Sequence, residues 1–142
     1  MDGTRTTAAA WALLFTAFLI TQATAQSSAP SVTDEQFPLP IDRAAVAQDW
    51  ISRGFDCNPY LADRGWASRM HTHDADEVLT VVEGRIGLAY GDQRLAADPG
   101  DEMILPADTL HRLENLHDGK SAFLYGLKST GITIRQTDNC SP

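Results

Sequence analysis

The chain has 142 residues, 43% hydrophobic and 21% charged, which fits one domain and excludes a disordered, collagen-like or low-complexity chain. Eleven Lys and Arg against nineteen Asp and Glu leave a net charge of −8, which repels phosphate and argues against nucleic acid and anionic membrane surfaces as partners. Two cysteines are too few for a zinc ribbon or a disulfide-dense mini-protein.

Residues 1–25 read as a secretory signal peptide. A short head with Arg5 precedes an apolar run over 8–20 broken only by Thr16, and Ala23-Thr24-Ala25 supplies the small residues of a cleavage site. The run is shorter than the ~20 residues that span a bilayer, so cleavage is favoured over an uncleaved N-terminal anchor. Asp2 dilutes the positive head. The mature chain then begins at Gln26, is extracytoplasmic (periplasmic or secreted) and has no membrane segment. Residues 26–40, with Pro30, Pro38, Pro40 and several Ser and Thr, form an extended leader, and 41–142 form the folded domain.

Asp42 caps a short helix that runs to about Arg53, and Gly54 stops it. Beyond Gly54, short runs rich in aromatic and branched residues alternate with turn signals. Strands are expected over 55–61, 66–71, 78–83, 85–90, 93–96, 102–105, 110–116, 122–128 and 132–135. This spacing indicates an antiparallel sandwich or barrel. Cys57 and Cys140 both lie in the exported part and near its ends. In an oxidising compartment they can pair, closing a long loop, or remain as two separate thiols.

Four histidines carry the chemistry: His71, His73, His111 and His117. On a strand, His71 and His73 point to one face, with Arg69 in phase. Glu77 follows where the next strand begins. Two imidazoles and a carboxylate converging from one turn suit a divalent transition metal. His117, beside Asp118-Gly119, reads as a solvated loop histidine.

The spacing around these residues resembles a known family. Gly65, five residues, His71-Thr72-His73, three residues, Glu77, six residues and Gly84 match the first motif of the cupins. Gly100, five residues, Pro106-Ala107-Asp108, two residues, His111, three residues and Asn115 resemble the second motif, with Asp108 where that motif usually has glycine. Aspartate tolerates left-handed turns better than most residues, so the turn is expected to survive. The resemblance covers about residues 54–128.

It implies an all-β, single-domain cupin-type antiparallel β-barrel (double-stranded β-helix, or jelly roll) with a short N-terminal helix. It also implies that His71, His73, Glu77 and His111 bind one divalent transition metal ion, of which Fe, Mn, Ni, Zn, Cu and Co all suit the ligand set. Arg69 and Tyr125 are the candidate substrate contacts, Tyr125 sharing a strand face with Phe123. Leu79 and Val81, in phase with Glu77, give an apolar wall. Cupins include dioxygenases, lyases and isomerases, and they commonly pair into homodimers through their sheets. Two readings of function follow: a metal-dependent enzyme acting on a small organic molecule, and a non-catalytic metal or small-ligand binding module.

Overall fold

Asp42 starts the helix as the sequence indicates. In the computed structural model, which describes residues 29–129 and Cys140, its carboxylate accepts hydrogen bonds from the backbone N–H groups of Ala44 and Ala45. Helix α1 (Arg43–Ser52) ends at Gly54, whose φ of +87° suits a residue without Cβ. The expected signal segment and the expected strand at 132–135 lie outside the described residues.

Eight strands accompany the helix among the described residues: β1 (Ser31–Thr33), β2 (Asn58–Ala62), β3 (Glu77–Glu83), β4 (Ile86–Tyr90), β5 (Gln93–Ala97), β6 (Glu102–Leu105), β7 (His111–Asn115) and β8 (Ser121–Leu127). They form a five-stranded sheet in the order β1-β6-β3-β8-β2 and a three-stranded sheet in the order β5-β4-β7. Every strand-to-strand ladder is antiparallel. This is the all-β jelly-roll barrel expected from the sequence.

Alternation along the strands builds two cores. Leu79 and Val81 of β3, Met103 and Leu105 of β6 and Phe123 of β8 point into the barrel, where they meet Ile86, Leu88 and Leu113 from the smaller sheet. Val78, Leu124 and Ile104 point the other way, onto Val46, Ala47 and Trp50 of α1. Each fully buried aliphatic side chain of this kind contributes about 1.5–3 kcal/mol. The outer core also holds a charge. Glu102, almost wholly buried, accepts from Trp50 Nε1 at 2.8 Å and takes a two-pronged ion pair from Arg53. A buried carboxylate needs such partners.

The run 26–40 is not merely a leader. Its residues 31–33 form β1 at the edge of the larger sheet, against β6. Glu35 N–H then donates to the Asp101 carboxylate and Phe37 N–H to the Gly100 carbonyl. Gly100 has a φ of +95°, and a Cβ there would stand 2.7 Å from the Phe37 carbonyl oxygen. Glycine is required at this position on both counts.

The strand expected at 66–71 is absent. That stretch touches β7 through two isolated bridges, Ala67 with Glu114 and His71 with His111. The bridges leave one more residue on the 67–71 side than on the other, so the chain bulges and strict alternation fails. Cys57 and Cys140 are joined by a disulfide, with Cα atoms 5.7 Å apart across a sequence separation of 83. Both are buried in the outer core. The bond is compatible with an oxidising compartment. No helix among the described residues is long and apolar enough to cross a membrane.

Reduction of Cys57–Cys140 is expected to lower the unfolding free energy by up to ~4–5 kcal/mol, the chain-entropy value for a loop of this length. Denaturant melts with and without reductant measure it. Coincident melts would mean that the bond contributes nothing to stability.

Candidate metal centre

His71 and His111 are held together by the backbone. Each N–H donates to the other's carbonyl oxygen at 2.9 Å, so the two ring centroids lie 4.4 Å apart. His73 closes the group, 4.9 Å from His71 and 5.7 Å from His111. One nitrogen from each ring falls within 4.8 Å of the others. The ligand loop is fastened to the second motif by Asp76, whose carboxylate accepts from Ala107 N–H and whose carbonyl accepts from Lys128 N–H. Asp108, at φ +62°, donates its N–H to the His73 carbonyl at 2.7 Å. The aspartate that replaces the usual glycine thus adopts the left-handed turn.

Ring orientation is set by backbone carbonyls. His71 Nδ1 lies 2.7 Å from the Arg69 carbonyl oxygen, and His111 Nδ1 lies 2.8 Å from that of Thr109. A carbonyl only accepts, so each Nδ1 carries the proton. The neutral ring then presents the lone pair of Nε2 to the centre, the usual arrangement around a metal-binding histidine.

Glu77, at the start of β3, is buried against these rings. Its Oε2 lies 3.2 Å from His111 Nε2 and 3.6 Å from His73 Nε2. With His111 neutral, Glu77 Oε2 and His111 Nε2 are two buried acceptors facing each other without a hydrogen-bond donor. Leaving a buried polar atom unpaired costs about 1–3 kcal/mol. A cation between them would satisfy both, and three imidazoles with a carboxylate form a donor set suited to a divalent first-row ion. The residues fit such an ion. Burial opposes a charge on His111, but the Glu77 carboxylate and the Thr109 carbonyl outweigh it and raise its pKa above the ordinary 6.5.

The centre forms the floor of a cavity of about 160 Å³ reached by His71, His73 and Glu77. Tyr60 of β2, Trp66, Leu113 of β7 and Phe123 and Tyr125 of β8 make its walls, with Ser68 beside them. Tyr125 lines the cavity together with Phe123. Arg69 is exposed and does not line the cavity; the bulge takes it out of phase with His71, and its backbone carbonyl is what touches the site. Sequence reasoning missed Tyr60 and Trp66. A signal existed, because Trp66 directly follows the motif glycine Gly65 and Tyr60 lies in a run expected as a strand. His117 lies outside the centre, on the loop after β7, where its backbone N–H donates to Asn115 Oδ1.

Metal affinity is expected to fall in acid. The ion needs the Nε2 lone pair that a proton occupies, and the raised pKa of His111 means that the proton competes at a higher pH than for an ordinary histidine. Below that pKa, each pH unit should weaken binding about tenfold per displaced proton. Metal titrations across the range measure the slope, and a flat profile through the acid range would exclude His111 as a ligand.

The family model described as the cupin domain matches residues 61–126, a span that contains all four residues around the centre. No curated protein matches the chain. Among solved structures, a cupin 2 conserved barrel domain protein from Salinispora arenicola is 20% identical, with a TM-score of 0.50 over 71% of this chain and 76% of that one. An RmlC-like cupin family protein with a double-stranded β-helix fold from Methanocaldococcus jannaschii is 17% identical, with a TM-score of 0.49 over 52% and 69%. A cupin-2 domain containing protein from Shewanella frigidimarina is 19% identical, with a TM-score of 0.47 over 54% and 72%. The barrel and the two motifs agree with the family match: residues 61–126 carry a cupin domain.

Proposed function

We propose that this protein is an exported, metal-dependent enzyme of the dioxygenase, lyase or isomerase class that acts on a small organic molecule. One observation carries the reading: three histidines cluster against Glu77 at the end of a cavity that His71, His73 and Glu77 line, with Glu77 Oε2 and His111 Nε2 buried without a hydrogen-bond partner. His71, His73, Glu77 and His111 are the proposed ligands of one divalent transition ion. When bound, that ion supplies Lewis acidity and, if redox-active, electron transfer.

The chain's own contribution is positioning. The Arg69 and Thr109 carbonyls fix the tautomers of His71 and His111. The buried Glu77 carboxylate supplies the negative charge that draws a cation to the floor. The aromatic walls exclude water and orient an organic substrate. Tyr125 is the proposed wall contact and Arg69, exposed two residues before His71, a proposed contact for approaching substrate. Export follows from the expected signal segment and agrees with the buried disulfide.

A second reading, a non-catalytic metal or small-ligand binding module, is favoured by a specific feature. The Ser68 hydroxyl is already engaged, donating to the Arg69 carbonyl and accepting from Leu113 N–H. Beyond the four proposed ligands, the tyrosine hydroxyls are thus the uncommitted proton carriers of the wall among the described residues.

The mature chain from Gln26, recovered from an oxidising compartment, should hold about one metal ion, and a His71→Ala, His111→Ala double variant should lose it. Elemental analysis measures both. Glu77→Ala should then drop turnover below about a hundredth of wild type, more than removal of an outer partner of a ligand costs, with the barrel still folded by circular dichroism. Metal-replete wild type that yields no product from phenols, sugars and small organic acids, with and without oxygen, would leave the binding module as the function.

A further inference from the structure

The wall of the cavity is chemically specific. Tyr60 and Trp66 ring centroids are 5.0 Å apart, Tyr60 and Phe123 5.1 Å, and Trp66 and Phe123 6.1 Å. Tyr125 continues the series, 6.4 Å from Phe123. All four rings line the same space. Three of them come from separate parts of the chain, β2, the bulged segment and β8, so the cluster is not a by-product of one amphipathic strand.

Size and charge narrow the occupant further. The cavity of about 160 Å³ is close to the ~150 Å³ of an apolar cavity that takes a single benzene ring. No lysine or arginine lines it among the described residues. Its one formal charge is the Glu77 carboxylate, whose buried Oε2 has no hydrogen-bond partner. An anionic ring brought beside that carboxylate meets a like charge, whereas a neutral ring does not. The aromatic walls favour a flat π-face over a puckered saturated ring.

We infer that the cavity is a binding site for a single-ring phenol, which lies against the cluster of Tyr60, Trp66 and Phe123 and directs its hydroxyl to the end of the cavity lined by His71, His73 and Glu77. The inference rests on the reading of that end as a metal centre and names the ligand class that the centre serves. The aromatic preference is carried by the walls, so it holds with or without the ion, whereas the ion alters only the strength of the hydroxyl contact.

Calorimetric titration of the mature protein tests this with phenol, cyclohexanol and benzoate, in metal-loaded and metal-stripped samples. Phenol should bind about tenfold or more tighter than cyclohexanol in both samples, the factor that one or two ring contacts supply. In the stripped sample benzoate should bind more weakly than phenol. Tyr60→Ala, at a residue 39% exposed and therefore tolerant of truncation, should weaken phenol about tenfold, while Tyr60→Phe should keep the affinity. Circular dichroism confirms that both variants fold. Cyclohexanol binding as well as phenol, no phenol binding at millimolar concentration, benzoate binding tighter than phenol in the stripped protein, or an unchanged Tyr60→Ala would each overturn the inference. Equal phenol affinity with and without metal, at a retained preference for phenol over cyclohexanol, would support the aromatic site and count against the metal reading alone.

Discussion

Two backbone hydrogen bonds between His71 and His111 hold the site together. They join motifs forty positions apart in the chain, and they do so at the two residues whose rings must meet. Side chains could not achieve this by themselves, because a long surface loop free to shift would spread the imidazoles over many positions. The bridge sets the separation of the two rings, and the carbonyls of Arg69 and Thr109 set their rotation. His73 and Glu77 are then carried into place by the loop that follows His71, which Asp76 and Asp108 fasten to the second motif.

Strand β3 gives this arrangement a stiff base. Its inner residues belong to the barrel core and its outer residues to the core under α1, so it is packed on both faces along most of its length. Glu77 opens that strand. The clamp of Glu102 by Arg53 and Trp50 and the Cys57–Cys140 bond fix the helix side. Helix and disulfide pack in the outer core against Val78, next to Glu77, and both restrict movement of the strand that presents its carboxylate. Close-packed protein interiors transmit displacement instead of absorbing it.

Much of the molecule is legible in the sequence for simple reasons. The helix has its cap and its stop at Asp42 and Gly54. The turn glycines and the histidine spacing mark the barrel and the residues around the centre, because positive φ and ligand chemistry each admit few residue types. What escaped has no such signature. The bulge at 66–71 depends on one surplus residue opposite β7, and nothing in a hydrophobic pattern reveals a count made against a distant strand. Arg69 is in phase with His71 only where strict alternation holds. Its contribution turned out to be a carbonyl, a group every residue carries. Strand β1 is three residues long and lies among prolines, so it reads as leader until β6 supplies the partner. The aromatic wall was hidden for another reason: Tyr60, Trp66 and Phe123 each look like ordinary barrel packing until their convergence over the histidines is seen.

Asp108 limits the charge of the exposed turn it occupies. Its left-handed backbone is required for the N–H that supports His73, and that conformation is open chiefly to glycine, asparagine and aspartate. Lysine or arginine there would incur about 1–2 kcal/mol of strain in the turn that positions a proposed ligand. The turn therefore admits aspartate more readily than lysine or arginine. The same geometry that holds the histidine therefore keeps lysine and arginine off this exposed turn through the set of residues it permits, independently of any selection on the ligand itself.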